Sequence, residues 1–203
     1  MLVMPANSSN VVSLIGIDPG TDTLGVANIY FDVQTLQIVS TQAQTFHGAK
    51  DSRGSWVADV HGDRWGRIES HHTRLLQLFN DYRPLEVACE APFINRRQPQ
   101  AGLALTEVVA LIRHALLRYD SWKRLHMLDP PTVKNAVGVS GRTGGPDGKK
   151  LMRTAVLGMP WLNYNGEIPI EVLDEHSIDA IAVAYCRYIT LLDELCLRNP
   201  LPV

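Results

Sequence analysis

The chain has 203 residues, 45% of them apolar and 20% charged, with a net charge of −2 and a pI near 6.4. That length suffices for one domain around a single core, and the balance excludes the disordered and membrane classes. The acidic mean weighs against nucleic acid as a partner, because such proteins carry a basic footprint.

The charge is nevertheless unevenly placed. Residues 93–124 hold six basic and two acidic side chains, residues 130–155 five basic and one acidic, and residues 163–180 five acidic and none basic. Two basic stretches and one acidic one suit phosphate contacts around a metal pocket. Cys89, Cys186 and Cys196 are an odd number without close pairing, which fits a reducing cytoplasm. No signal-like start and no run of membrane-spanning length is seen, so neither export nor a membrane is expected.

In chain order, residues 1–10 read as a frayed terminus and 11–197 as one domain. Val11 to Ile17 is a short apolar run suited to a buried strand, Pro19-Gly20 forces a turn, and Leu24 to Phe31 gives a second strand. Leu36 to Phe46 alternates apolar and polar residues, completing an antiparallel meander. Residues 47–62, rich in Gly, Ser, His and Asp, read as a long loop.

Trp65, Ile68, His72, Leu75, Leu76 and Phe79 recur at helical spacing until Tyr82-Arg83-Pro84 ends the segment. Leu85 to Cys89 makes a strand carrying Glu90 at its end, and Leu103 to Tyr119 a helix too apolar to be half solvated. Arg124 to Leu128 is a last strand, and Pro130-Pro131 opens a short helix. Residues 138–148 read as a Gly-rich loop, before helices at Lys149–Met159 and Asp174–Cys196. The order β-β-β-α-β-α-β-α predicts a mixed five-stranded sheet with helices on both faces.

Four residues stand out chemically. Asp18 ends the first strand before Pro-Gly-Thr, where a sharp turn is expected to expose it at the sheet edge; from the tetrapeptide alone, an ordinary turn is the preferred reading. Glu90 follows Val87-Ala88-Cys89 near the same edge, either in a site or as a solvated or helix-entry charge. Asp179 lies among small apolar residues, where an unpaired carboxylate is costly without a metal or a base. His176 shares its helix face, whereas Glu175 is read as a helix N-terminal charge. Three carboxylates and one imidazole suit Mg²⁺ or Mn²⁺, and zinc is disfavoured without a Cys/His cluster.

Ile15-Gly16-Ile17-Asp18-Pro19-Gly20-Thr21 with Gly25-Val26, Glu90 with Phe93, Thr132-Val133-Lys134 with Gly138, and His176 through Ala184 together resemble the RuvC family of Holliday junction resolvases. They run in the family's order from about residue 13 to residue 187. The resemblance implies a ribonuclease H-like fold and a homodimer that nicks branched DNA, four-way junctions first, through two Mg²⁺ ions. It implies Asp18, Glu90, His176 and Asp179 as the metal-binding catalytic set, with His where some members have Asp. Phe93 stands where the family stacks an aromatic on opened bases, although a core Phe is an equal alternative. Lys134 matches a lysine facing the scissile phosphate, and Lys149 or Lys150 a second one. Arg96, Arg97, Arg142 and Arg153 are candidate phosphate contacts, and the 103–119 helix a candidate dimer face.

Two features depart from the family: the acidic pI, and stretches at 47–66 and 138–148 longer than its usual connections. Two readings from other classes remain. One is a nuclease-dead module that binds DNA or a partner. The other is half of an actin-like ATPase, which opens with a similar Asp-x-Gly-Thr strand but needs a second lobe.

Overall fold

A computed structural model describes residues 10–92, 99–143 and 145–198, apart from the side chains of residues 99, 101, 146 and 196–198. The expected frayed terminus lies, but for Asn10, outside the described residues.

Five strands form one sheet in the order β3-β2-β1-β4-β5. They are β1 (Val11–Asp18), β2 (Thr23–Asp32), β3 (Ile38–His47), β4 (Glu86–Glu90) and β5 (Leu125–Leu128). β1–β2 and β2–β3 pair antiparallel, whereas β1–β4 and β4–β5 pair parallel, so the predicted mixed sheet is the observed one.

β1 and β2 lack a polar-apolar alternation because both faces of the sheet are covered. Ile15, Ile17, Val26 and Cys89 point to a core shared with α3 (Asp63–Tyr82) and α4 (Pro99–Tyr119). Leu14, Ala27, Ile29 and Phe31 point to a second core under α5 (Pro130–Ala136), α6 (Gly145–Leu157) and α7 (Glu175–Arg198). Among the described residues no helix is long and apolar enough to cross a membrane.

Two stretches expected as loops contain helix. Within 47–62 lie α1 (Gly48–Asp51) and α2 (Trp56–His61). The Ser and Gly residues that suggest a loop are partly helix boundaries: the Ser55 side chain accepts from the Val57 amide at 3.2 Å, and Gly62 follows α2 at φ 89°. Likewise α6 begins at Gly145, so the end of the Gly-rich stretch is a first helical turn.

α7 is anchored at its start and at its middle. At its start Asp174 accepts from the Ser177 amide at 2.9 Å and from Thr45 of β3 at 2.6 Å, which caps the helix and ties it to the sheet. Farther along, Arg187, 3% exposed, donates to Glu194 at 2.7 Å and 3.1 Å and to Glu86 of β4 at 3.1 Å. Removing one partner of a buried charge cluster costs more than the cluster contributes, because the remainder is left uncompensated. Arg187→Met is therefore expected to cost about 2 kcal/mol, measurable as a lower urea midpoint at unchanged m-value.

Candidate active site

β1 and β4 are parallel neighbours with Ile17 opposite Cys89, so Asp18 and Glu90 terminate adjacent strands at the same edge. Each lies two residues beyond a residue on the α7 side, Gly16 and Ala88, and so faces the same way. α7 delivers His176 and Asp179 to this edge from its first turns. Gly25 of β2 permits the approach, because a Cβ there would lie 2.1 Å from the His176 carbonyl oxygen.

The sequence predicts Asp18 at an exposed edge, yet it is 8% exposed. The turn does end the strand, but the start of α7 covers it. His176 Nδ1 lies 2.8 Å from Asp18 Oδ2, and its Nε2 lies 2.7 Å from Thr23 Oγ1. The imidazole thus bridges β2 and the β1 carboxylate, and the bond to Asp18 raises its pKa above the ordinary histidine value.

Burial and like charge act on the other two acids. Burial, then the charges of Asp18 and Asp179, push Glu90 up to about 8, against which Lys134 pulls. Burial, then Asp18, push Asp179 up to about 7, opposed by His176 and Lys149. Glu90 and Asp179 line one cleft of about 240 Å³ together with Lys134, Lys149 and Met152. Cys89, beside Glu90 in sequence, faces the opposite core, and burial raises its thiol pKa, so it is no nucleophile.

Among the described residues no group of three or more His, Cys, Asp or Glu side chains is drawn together closely enough to hold a metal ion. The donor chemistry nonetheless fits a hard divalent cation. Mutually repelling buried carboxylates that must otherwise take up protons are what such an ion stabilises.

The basic residues divide by engagement. Lys134 Nζ donates to the Thr143 carbonyl at 2.7 Å, which holds its ammonium at the cleft. Lys149 pairs with Glu175 at 2.6 Å, so Glu175 is at the α7 N-terminus as expected and also holds a lysine. Arg153 donates to the carbonyls of Leu173, at 2.6 Å, and Glu171, supporting the chain that leads into α7. Arg142 and Lys150 are exposed. Phe93, Arg96 and Arg97 lie outside the described residues.

Sequence reasoning misses Thr23 and Asp174. Asp174, just before the first helical residue, is a residue type favoured as an N-cap. Nothing local marks Thr23.

No family model matches the sequence. Solved structures do share its fold. Thermus thermophilus RuvC in complex with Holliday junction substrate aligns over 89% of this chain and 96% of its own, with TM-score 0.61 and 21% identity. A second structure of Thermus thermophilus RuvC covers the same shares, with TM-score 0.57 and 19% identity. The yeast mitochondrial Holliday junction resolvase Ydc2 aligns over 91% of this chain and 85% of its own, with TM-score 0.57 and 10% identity. The architecture expected from the sequence motifs is therefore the one found: the chain has the ribonuclease H-like fold of the RuvC-type resolvases.

Proposed function

We propose that this protein is a divalent-metal-dependent endonuclease that resolves four-way DNA junctions. The observation that carries the proposal is the set of three carboxylates on the α7 side of one sheet edge, two of them pushed toward protonation by burial and like charge. The fold shared with Thermus thermophilus RuvC, whose structure was solved in complex with Holliday junction substrate, supports branched DNA as the substrate.

Asp18, Glu90 and Asp179 would hold Mg²⁺, which supplies the Lewis acidity for phosphodiester hydrolysis to a 5′-phosphate and a 3′-hydroxyl. His176, hydrogen-bonded to both Asp18 and Thr23, orients the Asp18 carboxylate. Lys134, at the cleft and held by the Thr143 carbonyl, offers a fixed positive charge to a phosphate whose negative charge grows in the transition state.

A junction presents two strands related by near two-fold symmetry, so a homodimer matches it. Leu103 and Leu117 of α4 are 56% and 58% exposed. They lie about four helical turns apart on one helix face, with Glu107, Ala110 and His114 between them, and would be two separate apolar contacts to a partner copy.

The test is nicking of a synthetic four-way junction against linear duplex, fork and flap in Mg²⁺, with Asp18→Asn as control. Symmetric junction nicks that fall about 1000-fold or more in the variant, with junction binding retained, are expected. Equal cutting of forks and flaps would discard junction selectivity. Absence of cleavage by the unaltered protein would leave only a binding module.

A further inference from the structure

Two threonines hold the start of α7 to the sheet. Thr45 of β3 bonds Asp174 and Ser177, and Thr23 of β2 meets the His176 ring. Thr23 and Gly25 are two residues apart on β2, and Thr45 is paired with Gly25, so all three stand on the α7 face of the sheet. Gly25 leaves room there for the His176 backbone. The two hydroxyls nevertheless do different things. The partners of Thr45 belong to the helix cap, whereas the partner of Thr23 is a ring whose other nitrogen is on Asp18.

An ionised carboxylate only accepts, so the 2.8 Å contact with Asp18 Oδ2 places a proton on His176 Nδ1. In the neutral ring that leaves Nε2 an acceptor, and the Thr23 hydroxyl, 2.7 Å away, is the donor for it. Glu175, 4.0 Å from Nε2, is itself paired with Lys149. Both ring nitrogens are thus engaged by protein. The resemblance to the resolvases implies His176 as a metal ligand, yet a ring in this state offers no lone pair to a cation held by Asp18, Glu90 and Asp179.

We propose that Thr23 is a positioning residue of the nuclease site: its hydroxyl keeps the imidazole seated on Asp18 and withholds Nε2 from the metal, so that His176 orients a ligand instead of being one. This rests on the metal-dependent reading of the sheet edge given above. Thr23 suits the task because a β-branched side chain is stiff at χ1 and because it opens a strand paired into the sheet. Groups that orient a ligating side chain from behind carry about 10–100-fold of metal affinity or activity.

Thr23→Val removes the hydroxyl while nearly keeping the shape, and Thr23→Ser keeps the hydroxyl. Nitrogen NMR of the histidine rings in the metal-free full chain, at alkaline pH where the ring is neutral, reads the contact directly, with the His176 signals identified by their loss in His176→Gln. A protonated Nδ1 and a hydrogen-bonded Nε2 are expected, the Nε2 signal moving to that of a free acceptor in Thr23→Val and returning in Thr23→Ser. Mg²⁺ affinity by calorimetry and kcat for junction nicking should each fall about tenfold or more in Thr23→Val, with KM unchanged, and recover in Thr23→Ser. In a His176→Gln background, Thr23→Val should add nothing further, because its effect passes through the ring. An unprotonated Nδ1, an Nε2 signal that Thr23→Val leaves in place, or a large displacement of that signal when Zn²⁺ is added to the unaltered protein would overturn the proposal. So would full Mg²⁺ affinity in Thr23→Val. Failure of the unaltered protein to nick any branched DNA would instead overturn the nuclease reading, and the ring signals and Mg²⁺ affinities would still decide the role of Thr23.

Discussion

Glu90→Gln is expected to abolish nicking and at the same time to stabilise the metal-free protein. The loss, about 1000-fold or more, follows from removing a charge that would hold a cation at the reacting phosphate. The gain follows from what burial does to this carboxyl. Its pKa stands at about 8 when folded, against an ordinary value of 4.5. Between those values the folded state binds the proton and the unfolded chain releases it, so stability falls as pH rises through that window. Asp179, raised to about 7, and His176, raised through Asp18, act in the same direction. The neutral carboxamide of the variant escapes the penalty, which at about pH 8 is on the order of a few kcal/mol.

For a chain of this size, a change of about 1 kcal/mol moves Tm by about 2–4 °C. Thermal melts without divalent cation should therefore show the unaltered protein losing stability from about pH 5 to about pH 8, with Glu90→Gln following a flatter curve and melting several degrees higher at the alkaline end. Millimolar Mg²⁺ should restore the unaltered protein there by binding only the folded state, and should do less for the variant. A Glu90→Gln protein that still nicks, or an Mg²⁺ response unchanged by the substitution, would remove Glu90 from the metal set.

How far the sequence reveals this site depends on the range of the interactions involved. The uninterrupted apolar run of β1 and the small-residue face of α7 report their burial directly, because a doubly covered sheet suppresses alternation. Asp18 and Glu90 are legible because each ends such a run. The burial of Asp18 is not, since Asp-Pro-Gly-Thr describes a turn and says nothing about the helix that covers it. The ring of His176 reaches Asp18 across 158 positions and Thr23 across 153, separations that no local pattern encodes. The polar residues of β3 mislead in the same way. Ser40, Thr41 and Gln42 resemble a solvated edge but are all buried, and only their cross-strand pairing with β2 places Gln42 beside Asn28.

Gly16→Ala should show how completely α7 depends on contact with β1. A Cβ at residue 16 would lie 2.3 Å from the Ala184 amide nitrogen and 2.5 Å from the Ala180 carbonyl oxygen. Both are backbone atoms of α7, so no side-chain rotation relieves the overlap; the helix must lift from the sheet. Lifting it opens the core beneath Ile181 and Ala184 and shifts Asp179, one residue before Ala180, away from Asp18. The expected cost is about 3 kcal/mol or more, at the upper end for overpacked cores. Gly54→Ala supplies the contrast: at φ 71° with no atom within 4 Å of the added Cβ, it meets only backbone strain, worth about 1 kcal/mol. Urea denaturation of the two variants measures the difference. Equal midpoints would mean that α7 does not rest on β1 at Gly16, and the positions of His176 and Asp179 would lose their foundation with it.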